Sequence, residues 1–234
     1  MDTAQQPDLQ KWENEQMTKA EEAAAKRLAR LEAERARLDG MKEYERKYAA
    51  YTYICGIDEA GRGPFAGPVV AGAVILDPKK EILYLNDSKK LSEKKREALY
   101  DEIMEKAISV GVGVVDNHVI DEINILQATY IAMQKAIAAL DPQPDFVLAD
   151  AVTIPGICMP QEGIIKGDAK SVSIAAGSII AKVTRDRMCL EYDRLYPEYG
   201  FASHKGYGTA AHIEAIRKYG PLDIHRRTFI HKYI

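Results

Sequence analysis

Three short apolar runs in this chain lead straight into carboxylates. Tyr53 to Ile57 runs into Asp58 and Glu59, Phe146 to Ala149 into Asp150, and Gly163 to Ile165 towards Asp168. Runs this short, apolar and rich in β-branched residues predict strands. A buried strand does not normally end in acids, because an unpaired carboxylate is costly to bury. Asp58 and Glu59 therefore sit either at the solvent edge of a sheet or beside a cation. Side chains alternate along a strand, so adjacent acids share one ligand only where the strand finishes. Where several strand ends converge, their acids form one anionic cluster whose members raise each other's pKa values. A divalent ion resolves that repulsion. Oxygen ligands without a His or Cys companion favour magnesium or manganese. Two such ions can activate a water and stabilise the leaving oxygen in phosphodiester cleavage. Acids alone are not diagnostic: Asp141 and Asp145 flank prolines as turn residues do, and Asp186 lies on a helix.

The rest of the pattern fills in a mixed α/β fold. Val69 to Leu76 and Val110 to Val115 read as further strands. Ser92 caps a helix running to about Ala107, and apolar residues recur at helical spacing from Val119 to Leu140. Ile174 to Leu195 and Gly208 to Tyr219 read as two more helices, and together these predict a mixed sheet flanked by helices with a helical C-terminal region. Ahead of it, Glu13 to Tyr48 is dense in Ala, Glu, Lys, Arg and Leu, which predicts a helical arm, exposed or loosely docked and broken near Gly40. Leu28, Leu31 and Leu38 keep heptad spacing, but Arg35 interrupts it, short of what a coiled coil requires.

Composition narrows the function classes. The 234 residues are 47% hydrophobic and 29% charged with net charge −3, too apolar for a disordered chain. No 18-residue apolar stretch exists to span a membrane. The acidic N-terminus and three scattered cysteines, Cys55, Cys158 and Cys189, lead to the expectation of a cytoplasmic protein. From Phe201 onward, six Lys or Arg stand against Glu214 and Asp223, and four of the five histidines lie there. This is a basic end, read as a local anion-binding face or a solvated helix. Between strands, Gly61, Arg62 and Gly63 expose backbone amides and place one guanidinium where a phosphate or sugar can be reached. No Gly-Lys-Ser/Thr follows, which excludes a nucleotide-hydrolase phosphate loop.

Six segments carry a resemblance. GIDEAGRGPFAGPVVAGAVIL (56–76), NDSKKLS (86–92), VLADAV (147–152), IKGDAKSVSIAAGSIIAKVTRDR (165–187), SHKGYGT (203–209) and HRRTF (225–229) resemble, in this order, the signature segments of bacterial ribonuclease HII, a type 2 ribonuclease H. The resemblance implies a ribonuclease H-like catalytic domain over 51–234 and a helical extension over 1–50. It implies a metal-dependent endonuclease that cuts the RNA strand of RNA–DNA hybrids. It also implies incision on the 5′ side of single ribonucleotides in duplex DNA, leaving 5′-phosphate and 3′-hydroxyl ends, in ribonucleotide excision repair and primer removal.

By motif, Asp58, Glu59, Asp150 and Asp168 fall on the catalytic, metal-binding acids, with Mn2+ or Mg2+ as cofactor and two ions per site when substrate is bound. Gly61, Arg62 and Gly63 fall on the loop that grips the ribonucleotide, Tyr207 on the tyrosine packed beside it, and Lys89 on a lysine near the scissile phosphate. His204, His212, Arg226 and Arg227 are expected to add phosphate contacts from the basic end. Phe65 stands where many members carry Leu, and Gly72, where Ala is common, is expected to loosen its strand. The expected partners are RNA–DNA hybrid and ribonucleotide-containing duplex, with no membrane. The chain is expected to be a monomer whose N-terminal helix contacts another protein. The alternative is a hybrid-binding module without catalysis.

Overall fold

The computed structural model describes the chain from residue 9, with side chains from residue 18. Residues 1–8 of the expected 1–50 extension lie outside the described residues. Five strands form one mixed sheet: β1 (Ile54–Ala60), β2 (Val69–Ile75), β3 (Ser109–Val115), β4 (Phe146–Asp150) and β5 (Gln161–Ile164). Their order is β3-β2-β1-β4-β5. The first three pair antiparallel, β1 and β2 across a short loop and β2 and β3 across a long helix-bearing connection, whereas β1–β4 and β4–β5 are parallel. Nine helices complete the described residues: α1 (Leu9–Gly40), α2 (Glu43–Lys47), α3 (Glu93–Lys106), α4 (Asn117–Ile123), α5 (Ile125–Ala138), α6 (Val172–Leu195), α7 (Phe201–His204), α8 (Ala210–Tyr219) and α9 (Arg227–Ile230).

The two faces of the sheet bury separate cores. Ile57, Val69, Ala71 and Ala73 pack with Ala132, Met133 and Ala136 of α5 on one side. On the other, Val74 packs with Ala175, Ala176, Ile179 and Ile180 of α6, joined by Leu99 and Ile103 of α3. Gly72 does not loosen its strand. A Cβ there would sit 2.4 Å from the Gly177 carbonyl and 2.7 Å from the Ala181 amide, so its bareness is what lets α6 lie directly on β2.

The helix expected over 119–140 is two helices. Asn124 breaks it with φ 72°, and its side chain then caps α5 by accepting from the Leu126 and Gln127 amides. Short polar side chains tolerate this left-handed region and bond locally, so periodicity passes through a break it cannot register.

The arm ends as a helix at Gly40, as expected, but its C-terminal portion is firmly docked. Residues 18–30 are exposed along α1, whereas Leu38 and Met41 are buried in the core around α6. Arg37 donates to Glu34 and to the Leu85 carbonyl, and Glu45 accepts from Ser171 and from the Ser173 amide at the start of α6. Beyond α2, Tyr48 stacks on Phe146 at 3.9 Å. No helix among the described residues is long and apolar enough to cross a membrane.

Candidate active site

The strand register brings the acids together. β1 pairs with β4 only up to Ile57–Ala149, then continues against β2 through Asp58–Gly72, Glu59–Ala71 and Ala60–Val70. β1 itself ends one residue after Glu59, at Ala60. The parallel partner β4 ends at Asp150, which lies beside Asp58. Asp168 arrives from a single 3-10 turn, Gly167–Ala169, between β5 and α6. Non-glycine residues in the left-handed region, Ala151 (φ 54°) and Lys166 (φ 58°), turn the chain sharply at both approaches. Carboxylate oxygens of Asp58, Asp150 and Asp168 all lie within 4.8 Å of one another.

The surroundings hold the three acids in place. Asp58 is 4% exposed, accepts from the Glu59 amide at 2.7 Å and is hydrogen-bonded by Ser178 of α6. Ser178 in turn bonds Ser88 at 2.8 Å. Asp150 accepts from the Gly167 amide at 2.6 Å, tying the β4 end to the turn that carries Asp168. Burial first, and then Glu59 and Asp150, push the Asp58 carboxyl well above its usual range. Burial, Asp87 and Asp150 raise Asp168. Carboxylates that raise one another in this way, with oxygen as the only donor atom, suit a hard divalent ion.

Glu59 stands outside this three-acid group. Strand alternation turns it to the other face, where Arg62 approaches its Oε1 at 3.4 Å. Burial raises its carboxyl against the pull of Arg62, and Asp150 is close enough to raise it further. Lys89 lies beside the cluster. Partial desolvation disfavours its charge, yet Asp58, Asp87, Asp168 and Asp150 together keep its ammonium above the usual value. Asp87 is an acid that sequence reading missed. It caps the turn carrying Lys89, accepting from the Lys89 amide at 2.9 Å, and lies within reach of Asp168.

Next to the acids, Gly61 follows β1 with φ 96°, a conformation that favours glycine, and a Cβ there would strike Arg185 at 2.1 Å. Arg62 and Gly63 are exposed, and Gly63 lies against the Tyr207 ring, with 3.5 Å separating that ring from a Cβ built on Gly63. Tyr207 is 48% exposed. The loop and the tyrosine therefore form one surface beside the carboxylates.

Three of the four expected phosphate contacts from the basic end are corrected. Arg226 and His212 are fully buried, and His204 is half-buried with its Nε2 on the Tyr199 carbonyl at 2.7 Å. Only Arg227 is exposed. Arg226 faces inward onto backbone carbonyls, and His212 bonds His225 through their Nε2 atoms at 3.0 Å. Lys and Arg counts along a sequence register charge but not which guanidinium folding encloses.

A family model described as ribonuclease HII matches residues 55–232. The chain is 65% identical over 204 residues to the ribonuclease HII of Lachnoclostridium phytofermentans, covering 87% of this chain and 80% of that protein. It is 52% identical over 231 residues to that of Bacillus subtilis, covering 97% and 90%. Among solved structures it is similar to the ribonuclease H2 from Pyrococcus horikoshii, with 30% identity, a TM-score of 0.65 and coverage of 78% of this chain and 97% of that one. It is also similar to the structure of the PCNA:RNase HII complex from Archaeoglobus fulgidus, with 26% identity, a TM-score of 0.62 and coverage of 77% and 94%.

Proposed function

This chain belongs to the ribonuclease HII family, metal-dependent enzymes that hydrolyse RNA within RNA–DNA hybrids, and from that premise we propose that it also incises duplex DNA on the 5′ side of a single embedded ribonucleotide. The cut leaves a 5′-phosphate and a 3′-hydroxyl, the chemistry needed for ribonucleotide excision and primer removal. One observation supports this reading above others: three carboxylates from distant parts of the chain meet beside a glycine loop and an exposed tyrosine.

Asp58, Asp150 and Asp168 would hold divalent ions, Mn2+ or Mg2+, two when substrate is bound, and Glu59, close enough to Asp150 to be raised by it, would complete the set. When bound, such ions supply Lewis-acid stabilisation of charge developing on the phosphoryl oxygens. Lys89 attracts the scissile phosphate into an otherwise anionic site. Only a 2′-hydroxyl marks an embedded ribonucleotide, so recognition needs donors and acceptors held tightly against one sugar. The exposed loop backbone at Arg62 and Gly63 supplies them, and Tyr207 packs against the same sugar. The catalytic unit is residues 51–234 acting as a monomer in the cytoplasm, with the exposed part of α1 left to contact another protein. A non-catalytic hybrid binder would gain nothing from buried, mutually repelling acids placed where phosphate must lie.

The test is incubation with three duplexes of one sequence: all-DNA, DNA with one ribonucleotide, and RNA–DNA hybrid, each with Mn2+, Mg2+ or chelator. The expected result is one nick 5′ of the ribonucleotide, cutting along the hybrid, and no product from all-DNA or under chelation. Cutting that survives metal removal, or ignores the ribonucleotide, refutes the proposal.

A further inference from the structure

Two buried arginines lie behind the glycine loop, and neither forms an ion pair among the described residues. Arg226 is 0% and Arg185 1% exposed. Every hydrogen bond from the Arg226 guanidinium goes to a loop carbonyl: Nε to Gly67 at 2.9 Å, Nη1 to Arg62 at 2.9 Å and Nη2 to Gly61 at 2.6 Å. Arg185, from α6, donates to the carbonyls of Pro68 at 3.2 Å, Ala66 at 3.1 Å and Lys205 at 2.9 Å, with Cys189 Sγ at 3.6 Å. Backbone bonds close the clasp. The Phe65 amide donates to Gly206, the Gly67 amide to Ile224, and the Arg226 amide to Phe65.

Two enclosed guanidiniums without a carboxylate are an expensive way to hold a loop. Burial, reinforced by the charge of Arg185, presses Arg226 down to about 9, which still leaves it charged at neutral pH. Apolar packing would cost less than enclosing such charges. What it would not do is turn the carbonyls of 61, 62, 66, 67 and 68 inward together. With those carbonyls engaged, the Arg62 and Gly63 amides, which donate to nothing among the described residues, are left for a ligand. Successive unengaged amides over buried positive charge are suited to phosphate and sugar oxygens.

We propose that Arg226 and Arg185 are positioning residues for ribonucleotide selectivity, acting through the backbone of residues 61–68 without touching substrate. This rests on the reading that the loop grips the ribonucleotide. A lysine keeps the charge but has one nitrogen where Arg226 uses three, so it cannot span the carbonyls of Gly61, Arg62 and Gly67 at once. A long hybrid offers many ribonucleotides, and a displaced loop can engage another. A duplex with one ribonucleotide offers no second choice.

The experiment compares kcat/KM of wild type, Arg226→Lys and Arg185→Lys on the single-ribonucleotide duplex and on hybrid, alongside Mn2+ affinity measured by electron paramagnetic resonance. Each folded variant is expected to lower the single-ribonucleotide-to-hybrid ratio by about tenfold, the scale of a small misplacement of a bound group, while Mn2+ affinity stays within about twofold. In an Arg62→Ala background the further loss should shrink, because both changes act on one loop. An unchanged ratio in the folded variants, full additivity with Arg62→Ala, or Mn2+ affinity lost in parallel overturns the inference. Should one variant fail to fold, the other carries the same comparison from the opposite side of the loop. Absence of wild-type cutting at the single ribonucleotide would instead refute the functional reading beneath it.

Discussion

Asp58→Asn is expected to lower kcat by about 10³-fold or more, equivalent to about 4 kcal/mol of transition-state stabilisation, while the protein binds hybrid duplex at least as tightly as wild type. Asparagine keeps an oxygen that can accept from Ser178 and the Glu59 amide, so the fold around β1 is retained. It removes one charge from a group of three within 4.8 Å, which weakens ion binding and also lessens repulsion of the phosphate backbone. The same change should raise thermal stability in chelator by about 2–4 °C, since Asp58 is buried among like charges that the unfolded chain does not impose. Activity, duplex affinity and unfolding temperature measured on one preparation check all three. Loss of duplex binding together with cutting would remove Asp58 from the role assigned to it.

Acid is expected to destabilise the protein through His212 and His225. The Leu222 amide donates to His225 Nδ1 at 2.9 Å, so the His225 proton sits on Nε2 and points to His212 Nε2 at 3.0 Å. The His212 proton then lies on Nδ1 and reaches the Tyr207 carbonyl at 2.9 Å. Every ring nitrogen is satisfied only while both rings are neutral, and a second proton would set two donors against each other. Burial lowers both to about 4, with His204 adding to the effect on His212, and with His212, Arg227 and His204 adding to that on His225.

The unfolded chain binds protons near pH 6.5 and the folded one does not until about 4. The contribution is therefore complete above 6.5 and is lost as pH falls through that window. The loss is about 2 kcal/mol per histidine at pH 5. The raised carboxyls of Asp58 and Asp168 act with the opposite sign, so the comparison needs a variant. Denaturant unfolding at pH 7.5 and pH 5 should show wild type losing about 4 kcal/mol more than the His212→Gln/His225→Gln double variant. Equal losses would count against the relay. Because the wire ends on the Tyr207 carbonyl, its rupture should also loosen the surface beside the acids.

What the sequence made legible was whatever local pattern controls. Strand-forming runs leading into Asp58 and Asp150 and towards Asp168 are visible because a carboxylate after an apolar run is locally anomalous; β1–β4 pairing brings the first two together, and the turn after β5 brings Asp168. The break at Asn124 was hidden, since an apolar stripe continues across it and only one residue's φ changes. Glu59 is the harder acid to read, because alternation along β1 sets it apart from the three aspartates even though Asp150 still raises its carboxyl. Arg185 and Arg226 were unreadable as interior residues because most of their partners are loop carbonyls far away in the chain, and His212 and His225 because each is enclosed against the other's ring. Backbone acceptors leave no trace in residue identity. Asp87 was passed over for a similar reason: its neighbour Lys89 drew attention to the segment, while its approach to Asp168 depends on how α3 and α6 bring that turn against β1.

The central measurement is anomalous diffraction from crystals grown with Mn2+ and a duplex containing one ribonucleotide, the Asp58→Asn protein being used to prevent cutting and wild type without duplex serving as reference. Wild type should show manganese about 2.1 Å from carboxylate oxygens of Asp58, Asp150 and Asp168, and the variant should show weakened or displaced density there with the ribonucleotide lying against Gly61–Gly63 and Tyr207. Manganese absent from those three acids at saturating concentration, with full activity in the same solution, would contradict the account.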